Sequence, residues 1–437
     1  MKKHLLKSTI LSFVAMFLLF QFVTIGYSDI TKKDALKRKA IIDQGDFLTK
    51  EDYLTNKDLP SLEGVKLGNF LLHAILTTEV EHDSNVYLDG ENDEEVDTIL
   101  LINPAIGLVL PIKDFTLGVG YDLEKYFFNN FTNEDHTDKY LSGLAEYKLT
   151  DYTITLRNMN SNFSHRSGTE DRNRIKRDDN EFRADIGAQF DQLGFKIGYT
   201  NKKEDYLSDE LLTETLTYND KDKTVESGDI QFSYRMMPKT SILIEWGFGK
   251  GDYDSVKSPD YEFDEFLIGL KGDLRHNLST HFKLGYKNQD YEESAFTVNE
   301  DFNSPVIRGG IEYLLTEDDI LNLAVEKNVY ESTYLDLNHY DTSYIGLTHT
   351  HIFNAKITSS LFGSYQENDY PTSSAAETLL VGEARLDKFY RWGLRLRYYI
   401  RDWLSTQGAY EYKRRDSNVK EYEYEVNLWT LRVSAGF

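Results

Sequence analysis

The 437-residue sequence contains no cysteine. The chain therefore forms no disulfide and cannot carry the lipid anchor of a lipoprotein, which is attached to a cysteine. Long apolar runs are also scarce, because no segment after residue 28 reaches the length of about 18 apolar residues that a membrane-spanning helix needs. These absences exclude a disulfide-stabilised secreted domain and argue against a bundle of membrane-spanning helices.

Basic residues and proline are few as well. The chain has 49 Lys and Arg against 73 Asp and Glu, a formal net charge of −24, which argues against nucleic acid as a partner. There are 7 Pro, but 30 Tyr and 25 Phe. The composition is thus poor in residues that break strands and rich in aromatic residues that favour them.

The first residues have the order of a secretory signal peptide. Three lysines precede an apolar run that ends near Ile25, and Gly26 and Ser28 supply small side chains for cleavage. We therefore predict a signal peptide over residues 1–28. A retained N-terminal membrane helix is the alternative, because the apolar run approaches a spanning length.

Residues 29–64 differ from the remainder of the chain. They are charged, and the weak apolar spacing of Leu36, Ala40 and Ile41 predicts a short helical or flexible segment on the periplasmic side. Pro60 and Gly64 then mark the beginning of the main domain, predicted over residues 65–437.

Apolar and polar residues alternate strictly in several segments of the main domain. In residues 115–123, FTLGVGYDL, the odd positions are Phe, Leu, Val, Tyr and Leu, and the even positions are Thr, Gly, Gly and Asp. Residues 193–200, 241–250 and 281–287 follow the same pattern. This period of two indicates β-strands with one apolar face and one polar face.

Short turn sequences join these strands in pairs. Each contains Pro, Asp, Asn, Gly or Ser, and eight such turns are predicted at residues 111–114, 149–152, 191–194, 237–240, 275–279, 315–319, 352–355 and 400–405. The other connections are long, polar and acidic. Short turns at one rim and long loops at the other are typical of an outer-membrane barrel. About nine hairpins are also more than the strands of a single β-sandwich can accommodate.

The fold predicted from this pattern is all-β: an antiparallel up-and-down transmembrane β-barrel of about 18 strands, with 16 as the alternative. Both chain ends then lie on the periplasmic side. The count requires residues 376–400 to form one overlong or bulged strand, although LDKFYRW, residues 386–392, can also be interpreted as a turn. The predicted location is the outer membrane, with lipid and lipopolysaccharide as the surroundings.

Charged residues at the inferred inward positions are the candidates for lining a pore, where they would steer a polar solute. The alternative is that any water-filled barrel carries polar inward residues. RLRYYIR, with Arg395, Arg397 and Arg401 on one face, is the first candidate if the solute is anionic. The predicted pore-lining residues are Arg157, Arg183, Lys196, Arg235, Glu245, Lys271, Lys283, Lys287, Arg308, Glu312, Arg395, Arg397, Glu411 and Arg432.

Two smaller motifs could bind ions. The triplet Asp-Ser-Asn occurs at residues 83–85 and 416–418, at the tops of two strands that the closed barrel brings close together. A calcium or sugar contact is one interpretation, and local backbone bonding by Asp and Asn is the favoured one. His349 and His351 share a strand face beside a turn, but no third metal ligand is apparent, so a rim position is favoured.

No catalytic constellation is recognisable in the sequence. Nothing resembles a nucleophile elbow, a phosphate-binding loop or a zinc-binding helix, so we predict no catalytic residues, no metal and no cofactor. An enzyme or an adhesin built on a barrel scaffold remains the alternative to a channel.

Both ends of the main domain resemble a known family. Residues 64–87, GVKLGNFLLHAILTTEVEHDSNVY, and residues 403–418, WLSTQGAYEYKRRDSN, are similar to the first strand and the C-terminal hairpin of an outer-membrane β-barrel porin family associated with exopolysaccharide and capsule export gene clusters. The resemblance implies an outer-membrane barrel that passes a secreted polysaccharide, with polysaccharide export components as partners. A general diffusion porin is the alternative.

The chain ends in an alternating strand, WTLRVSAGF, without a polar tail. Trp429, Leu431, Val433 and Phe437 on one face resemble the signal that the barrel assembly machinery reads in unfolded barrels. The same strand is predicted to pair with the first one and so close the barrel. Because Val426 and Leu428 are apolar on the opposite parity, we also predict a bulge or the membrane boundary near Leu428.

Overall fold

The computed structural model describes residues 64–90, 93–166, 170, 174–208, 211, 216–293, 301–333, 337–370 and 384–437. The predicted signal peptide and the N-terminal segment before residue 64 lie outside these residues. The described residues form a single sheet of nineteen strands, and every neighbouring pair of strands is antiparallel. In the described ranges, no helix is long and apolar enough to span a membrane.

Among the described residues, the only regular structure between the strands is a short 3₁₀ turn in each of three outer connections. Their bounds are β1 Val65–Leu67, β2 Phe70–Asp83, β3 Asp97–Ile112, β4 Phe115–Phe128, β5 His136–Lys148, β6 Tyr152–His165, β7 Ile175–Phe190, β8 Leu193–Tyr206, β9 Lys223–Met237, β10 Thr240–Tyr253, β11 Tyr261–Arg275, β12 Leu278–Tyr291, β13 Phe302–Leu314, β14 Asp319–Glu331, β15 His339–Asn354, β16 Ile357–Asp369, β17 Leu386–Arg401, β18 Leu404–Ser417 and β19 Tyr424–Gly436.

The barrel closes between its first long strand and its last strand. β19 pairs with β2 from Leu428 opposite Asp83 to Gly436 opposite Ile75. The backbones of Ala74 and Phe437 exchange two further hydrogen bonds, of 3.1 and 3.0 Å. β2 to β19 are thus a closed barrel of eighteen strands, as predicted, and the alternative of sixteen is wrong. Closure at this seam leaves neither terminal strand of the barrel with an unpaired edge in lipid.

β1 is a short addition before the barrel. Its three residues turn back at Gly68, whose φ of 64° lies in the left-handed region, and pair with the start of β2. Glycine suits that position because a Cβ disfavours this backbone conformation.

All eight predicted tight turns join strands at one rim. They contain two to four residues between strands, whereas the connections at the other rim contain six to sixteen. Lys113 and Asp191 adopt positive φ values of 50° and 47° in two of these turns, as two-residue hairpin loops require. The loops are shorter than predicted, because residues 160–165 and 175–180 continue β6 and β7. Backbone pairing persists there although most residues on both faces are polar.

Two predictions for the C-terminal strands need correction. β17 begins at Leu386, so residues 386–392 are strand and not turn, but the strand is 16 residues long and not overlong. Residues 384 and 385 belong to no strand, and residues 376–383 of the prediction lie outside the described part. The register of β19 on β18 is continuous through Leu428, so the bulge is wrong, and the membrane boundary, the other alternative, stays a prediction. Val426 and Leu428 instead point inward, where they are buried.

The outside of the barrel carries exposed apolar and aromatic side chains. In β10, Ile242, Ile244, Trp246 and Phe248 are 37–48% exposed. Aromatic rings of neighbouring strands pack against each other on this surface, as in Tyr410 and Trp429 with ring centres 4.5 Å apart. A large exposed apolar band with rings at its edges is what a lipid environment stabilises.

β13 and β14 separate in the outer half of the barrel. Their register comprises eight residue pairs, from Ile307 opposite Lys327 to Leu314 opposite Ile320. Pro305 lies just above this separation, and its nitrogen cannot donate to a ladder. The end of β14 leans across the interior, where Glu331 accepts hydrogen bonds from the hydroxyls of Tyr253 and Tyr261.

Candidate functional site

The candidate site is the enclosed face of the barrel. All fourteen predicted pore-lining residues lie on the face opposite the exposed apolar residues of their strands, as the alternation of burial shows. Glu245, for example, alternates with the exposed Ile244 and Trp246. That these residues border a conducting path stays a prediction. The structure does show which of them contact each other.

The wall formed by β7, β8 and β9 carries a network around Arg183. Its guanidinium contacts Asp185 at 2.8 Å and Asp229 at 2.9 Å, and Lys196 contacts Asp185 at 2.9 Å. A Cβ at Gly198 would collide with the Asp229 carboxylate, so the inward glycine makes room for this ion pair. Arg157, on β6, is the residue directly opposite Arg183 in the register.

A second network spans β9 to β14. Lys283 and Gln231 each donate a hydrogen bond of 2.7 Å to the carboxylate of Glu245. Arg308 binds Glu265 in a two-pronged pair of 2.7 and 3.1 Å. This geometry fixes both side chains, since a planar guanidinium matches a carboxylate.

The third wall, from β17 to β2, is the most basic. Arg391 binds Glu411 in a two-pronged pair of 2.8 and 3.0 Å, and Lys413 contacts the same carboxylate at 3.1 Å. Arg432 pairs with Glu79 across the closing seam. Arg397 donates to Gln407 at 2.7 Å.

Aromatic rings lie among these charged side chains on the enclosed face. The guanidinium of Arg395 lies 4.5 Å from the ring centre of Phe362, and that of Arg391 lies 5.4 Å from it. The ammonium of Lys287 lies 4.9 Å from Phe263 and 5.5 Å from Phe302. Cations at these distances are attracted to the ring faces.

The remaining predicted residues lie nearer the rim with the short turns. Arg235 donates to the backbone oxygen of Asp191. Lys271 is opposite His281 in the register, and Glu312 is opposite Asn322. These residues share the enclosed face with the three networks but are not part of them.

Glu170 is the centre of a contact network at the outer mouth. It belongs to the connection between β6 and β7, yet its carboxylate accepts hydrogen bonds from Ser332 at 2.6 Å, from the Thr333 backbone at 2.9 Å and from Tyr370 at 3.1 Å. β6 and β14 are eight positions apart in the ring of eighteen strands, so these contacts cross the mouth. Burial raises the pKa of the Glu170 carboxyl, and the bonds from Ser332 and Thr333 oppose that rise.

The backbone oxygen of Glu170 is held as well. Arg385 donates to it at 3.2 Å and Arg415 at 3.4 Å. Arg385 is itself fixed by Asp387 at 2.6 Å and by the ring of Tyr422, whose centre lies 3.8 Å away. Connections from opposite parts of the barrel therefore meet at one residue.

The two Asp-Ser-Asn triplets bond to nearby backbone. Asp83 accepts from the Asn85 backbone at 2.8 Å, and the Asn85 side chain accepts from the Asp89 backbone at 2.9 Å. Asn418 accepts from the Leu386 backbone at 2.8 Å. The bonds of the first triplet agree with the interpretation as local backbone chemistry, whereas Asn418 instead binds the backbone at the start of the neighbouring strand β17.

His349 and His351 lie on the outer surface at the rim with the short turns, next to a carboxylate that the sequence did not reveal. Both rings contact the same oxygen of Asp319, at 3.0 and 2.8 Å. Even so, across the residues the structure covers, no group of three or more His, Cys, Asp or Glu has an arrangement suited to a metal ion.

Sequence reasoning missed the partners of several site residues. Asp229 and Glu265 could have been found as inward residues, because they follow the inward parity of their strands, but parity does not say which residues they pair with. Glu170 carries no sequence signal, since its partner Ser332 is 162 residues away.

Comparison with known proteins gave both structural and family matches. OpdQ of Pseudomonas aeruginosa is 10% identical with a TM-score of 0.48, over 85% of this chain and 98% of that chain. OccAB4 of Acinetobacter baumannii is 10% identical with a TM-score of 0.48, over 84% and 98% of the two chains. OprD of P. aeruginosa is 11% identical with a TM-score of 0.47, over 90% and 99%. No curated protein matched. A family model described as "Putative beta-barrel porin 2" matches residues 61–437.

Proposed function

Because the chain belongs to the putative beta-barrel porin 2 family and is an outer-membrane porin, we propose that its lumen is a passive path for polar solutes, with a secreted polysaccharide as the solute it serves. A general diffusion porin is the alternative. Neither proposal includes a covalent step, and we assign no catalytic role to any residue.

The observation that carries this proposal is the mixture of rings and paired charges on the enclosed face. Phe362 lies beside Arg391 and Arg395, and Lys287 lies between Phe263 and Phe302. A sugar ring has an apolar C–H face and a polar rim of hydroxyls. Aromatic rings bind the first, and guanidinium and carboxylate groups bind the second.

The pairing of the charges supports a solute with many hydroxyl groups. Arg183, Arg308 and Arg391 each contact a carboxylate, so their positive charge is largely compensated where they lie. Such pairs offer donors and acceptors without a strong field of one sign. We therefore expect weak charge selectivity and stronger discrimination by hydrogen bonding.

Single-channel recording in planar bilayers tests the proposal. The purified protein should conduct ions, and neutral oligosaccharides should interrupt the current for longer than polyethylene glycol of equal size. Phe362→Ala removes a ring from the enclosed face and should shorten the sugar interruptions several-fold. Phe266→Ala removes an exposed ring from the outer face and is the matched control.

Each outcome decides between the alternatives. Equal interruptions by sugar and polyethylene glycol would favour a general diffusion porin. No conductance at all, even after deletion of residues 29–64, would refute the channel and favour a surface role of the loops.

A further inference from the structure

The outer surface of β6 carries a row of amides at the edge of the apolar band. Its outward residues begin as Tyr152, Ile154 and Leu156, which are 40–47% exposed. The next outward residues are Asn158, Asn160 and Asn162. We call these three residues the amide row.

Each of the two lower members of the amide row has one exposed apolar side chain directly opposite it. Asn158 is directly opposite Phe182 of β7, which is 37% exposed. Asn160 is directly opposite Leu141 of β5, which is 46% exposed. The amides of Asn158 and Asn160 are therefore within the apolar band, or at its edge. A short asparagine side chain cannot extend to the headgroups as a lysine can.

Hydrogen bonds within the surface satisfy only part of these amides. Asn160 donates to Asn158 at 2.9 Å and accepts from Asn180. Asn158 donates to the Asn180 side chain at 3.4 Å and to the backbone oxygen of Glu181 at 3.1 Å. A primary amide has two donors and two acceptor positions. Asn160 and Asn180 are exposed, so their remaining capacity faces outward, where hydrocarbon offers no partner.

We propose that the amide row is a self-association surface, covered by the same row of a second copy of this chain. Two copies in one membrane keep the same orientation, so a two-fold axis along the membrane normal brings residues of equal height together. Only a side chain that both donates and accepts can pair with itself, and an amide does both. Hydrogen bonds between amides also associate membrane segments, because lipid cannot replace them.

Local shape permits such an approach. Gly143 of β5 is directly opposite Asn158 in the register, and a Cβ added at Gly143 would meet no atom within 4 Å. No side chain projects from the surface at Gly143, so the backbone of a second barrel can come close to the amide row there. Lipopolysaccharide is the less suitable occupant, because its sugars lie outside the apolar band in which Leu141 and Phe182 face lipid.

The absence of cysteine makes a cross-linking test direct. Asn160→Cys places one thiol in the amide row, and Ser343→Cys places one on the exposed outer face of β15, across the barrel. Oxidation of outer-membrane preparations should give a species of twice the monomer mass with Asn160→Cys and none with Ser343→Cys. Equal cross-linking of both variants, or of neither, would overturn the proposal.

A second measurement does not depend on an introduced thiol. Native mass spectrometry in mild detergent should show a dimer of the wild-type chain. The double variant Asn158→Leu and Asn160→Leu should be monomeric, while its faster gel mobility before heating shows an intact barrel. A wild-type monomer that retains lipopolysaccharide, which the double variant loses, would assign the row to lipid and refute self-association.

Discussion

At the scale of the residue, Glu170 stands out because it joins distant connections and was not among the charged residues predicted from the sequence. Its carboxylate binds Ser332, Thr333 and Tyr370, and its backbone oxygen binds Arg385 and Arg415. A buried acceptor with this many donors is costly to replace, because each donor then loses its partner. The side chain and the backbone oxygen of Glu170 thus together join the connections that meet at the outer mouth.

Removal of this carboxylate should open the mouth. We expect Glu170→Ala to raise single-channel conductance at least about two-fold, because the contacts across the mouth lose their common acceptor. Glu95→Ala removes the same charge from an exposed loop position and should leave conductance unchanged. Unaltered conductance of Glu170→Ala would show that these contacts do not limit the current.

The mouth should also respond to pH. Burial raises the pKa of Glu170, so the folded mouth favours the protonated acid. The stabilisation is complete below the ordinary carboxyl pKa and is lost as pH rises through the raised value. Conductance should therefore increase with pH in the wild type, whereas Glu170→Gln should remove this dependence. A parallel increase in both proteins would assign it to other groups.

The inward faces of single residues could be predicted from sequence, but their partners could not. Alternation alone placed Arg183 and Glu245 on the enclosed face, since successive side chains of a strand point to opposite sides. The pairing of Arg183 with Asp229 depends on the register of β7, β8 and β9, which alternation leaves open.

At the scale of the element, the strands and tight turns were predictable because each is a local property of the chain. The start of β17 was not, because polar residues on both sides of Leu386 give no alternation to locate the end of pairing. The bulge expected near Leu428 was wrong for a related reason. Val426 and Leu428 are apolar, yet they pack inside the outer mouth and not against lipid.

The last strand offers a prediction at this scale. Deletion of Phe437 removes two backbone hydrogen bonds to Ala74 and the final side chain of the proposed assembly signal. We expect less barrel in the outer membrane, as measured by the heat-modifiable band, before any change in the conductance of assembled channels. Phe437→Tyr keeps the ring and the backbone and is the control. Normal insertion of the deleted chain would refute the signal.

At the scale of the whole molecule, closure of the sheet follows from a count of hairpins. Eight tight turns and nine long connections require an even number of strands, and the seam between β19 and β2 completes the ring. The crossing of the outer mouth was not predictable, because it joins Glu170 to residues far along the chain. Contacts between residues so far apart in the chain produce no periodic pattern in the sequence.

The segment before the barrel gives a prediction for the whole chain. We propose that residues 29–64 occupy the lumen. Their deletion should then raise the mean conductance of the otherwise intact barrel. Combining the deletion with Glu170→Ala separates the contribution of the N-terminal segment from that of the outer mouth. If both obstruct the lumen in series, conductance should increase fully only when both are removed. A deletion that leaves both the wild type and Glu170→Ala unchanged would exclude a plug.

The parting of β13 and β14 has a mechanical consequence. β13 and β14 pair over eight residues, fewer than β12 with β13 or β14 with β15. The barrel wall should therefore deform most easily between β13 and β14. Thermal breathing of the wall should therefore concentrate above Ile307 and Lys327, and backbone amides there should exchange with deuterium earliest among the strand residues. Lateral strain in the membrane should therefore separate β13 and β14 before any other pair of strands.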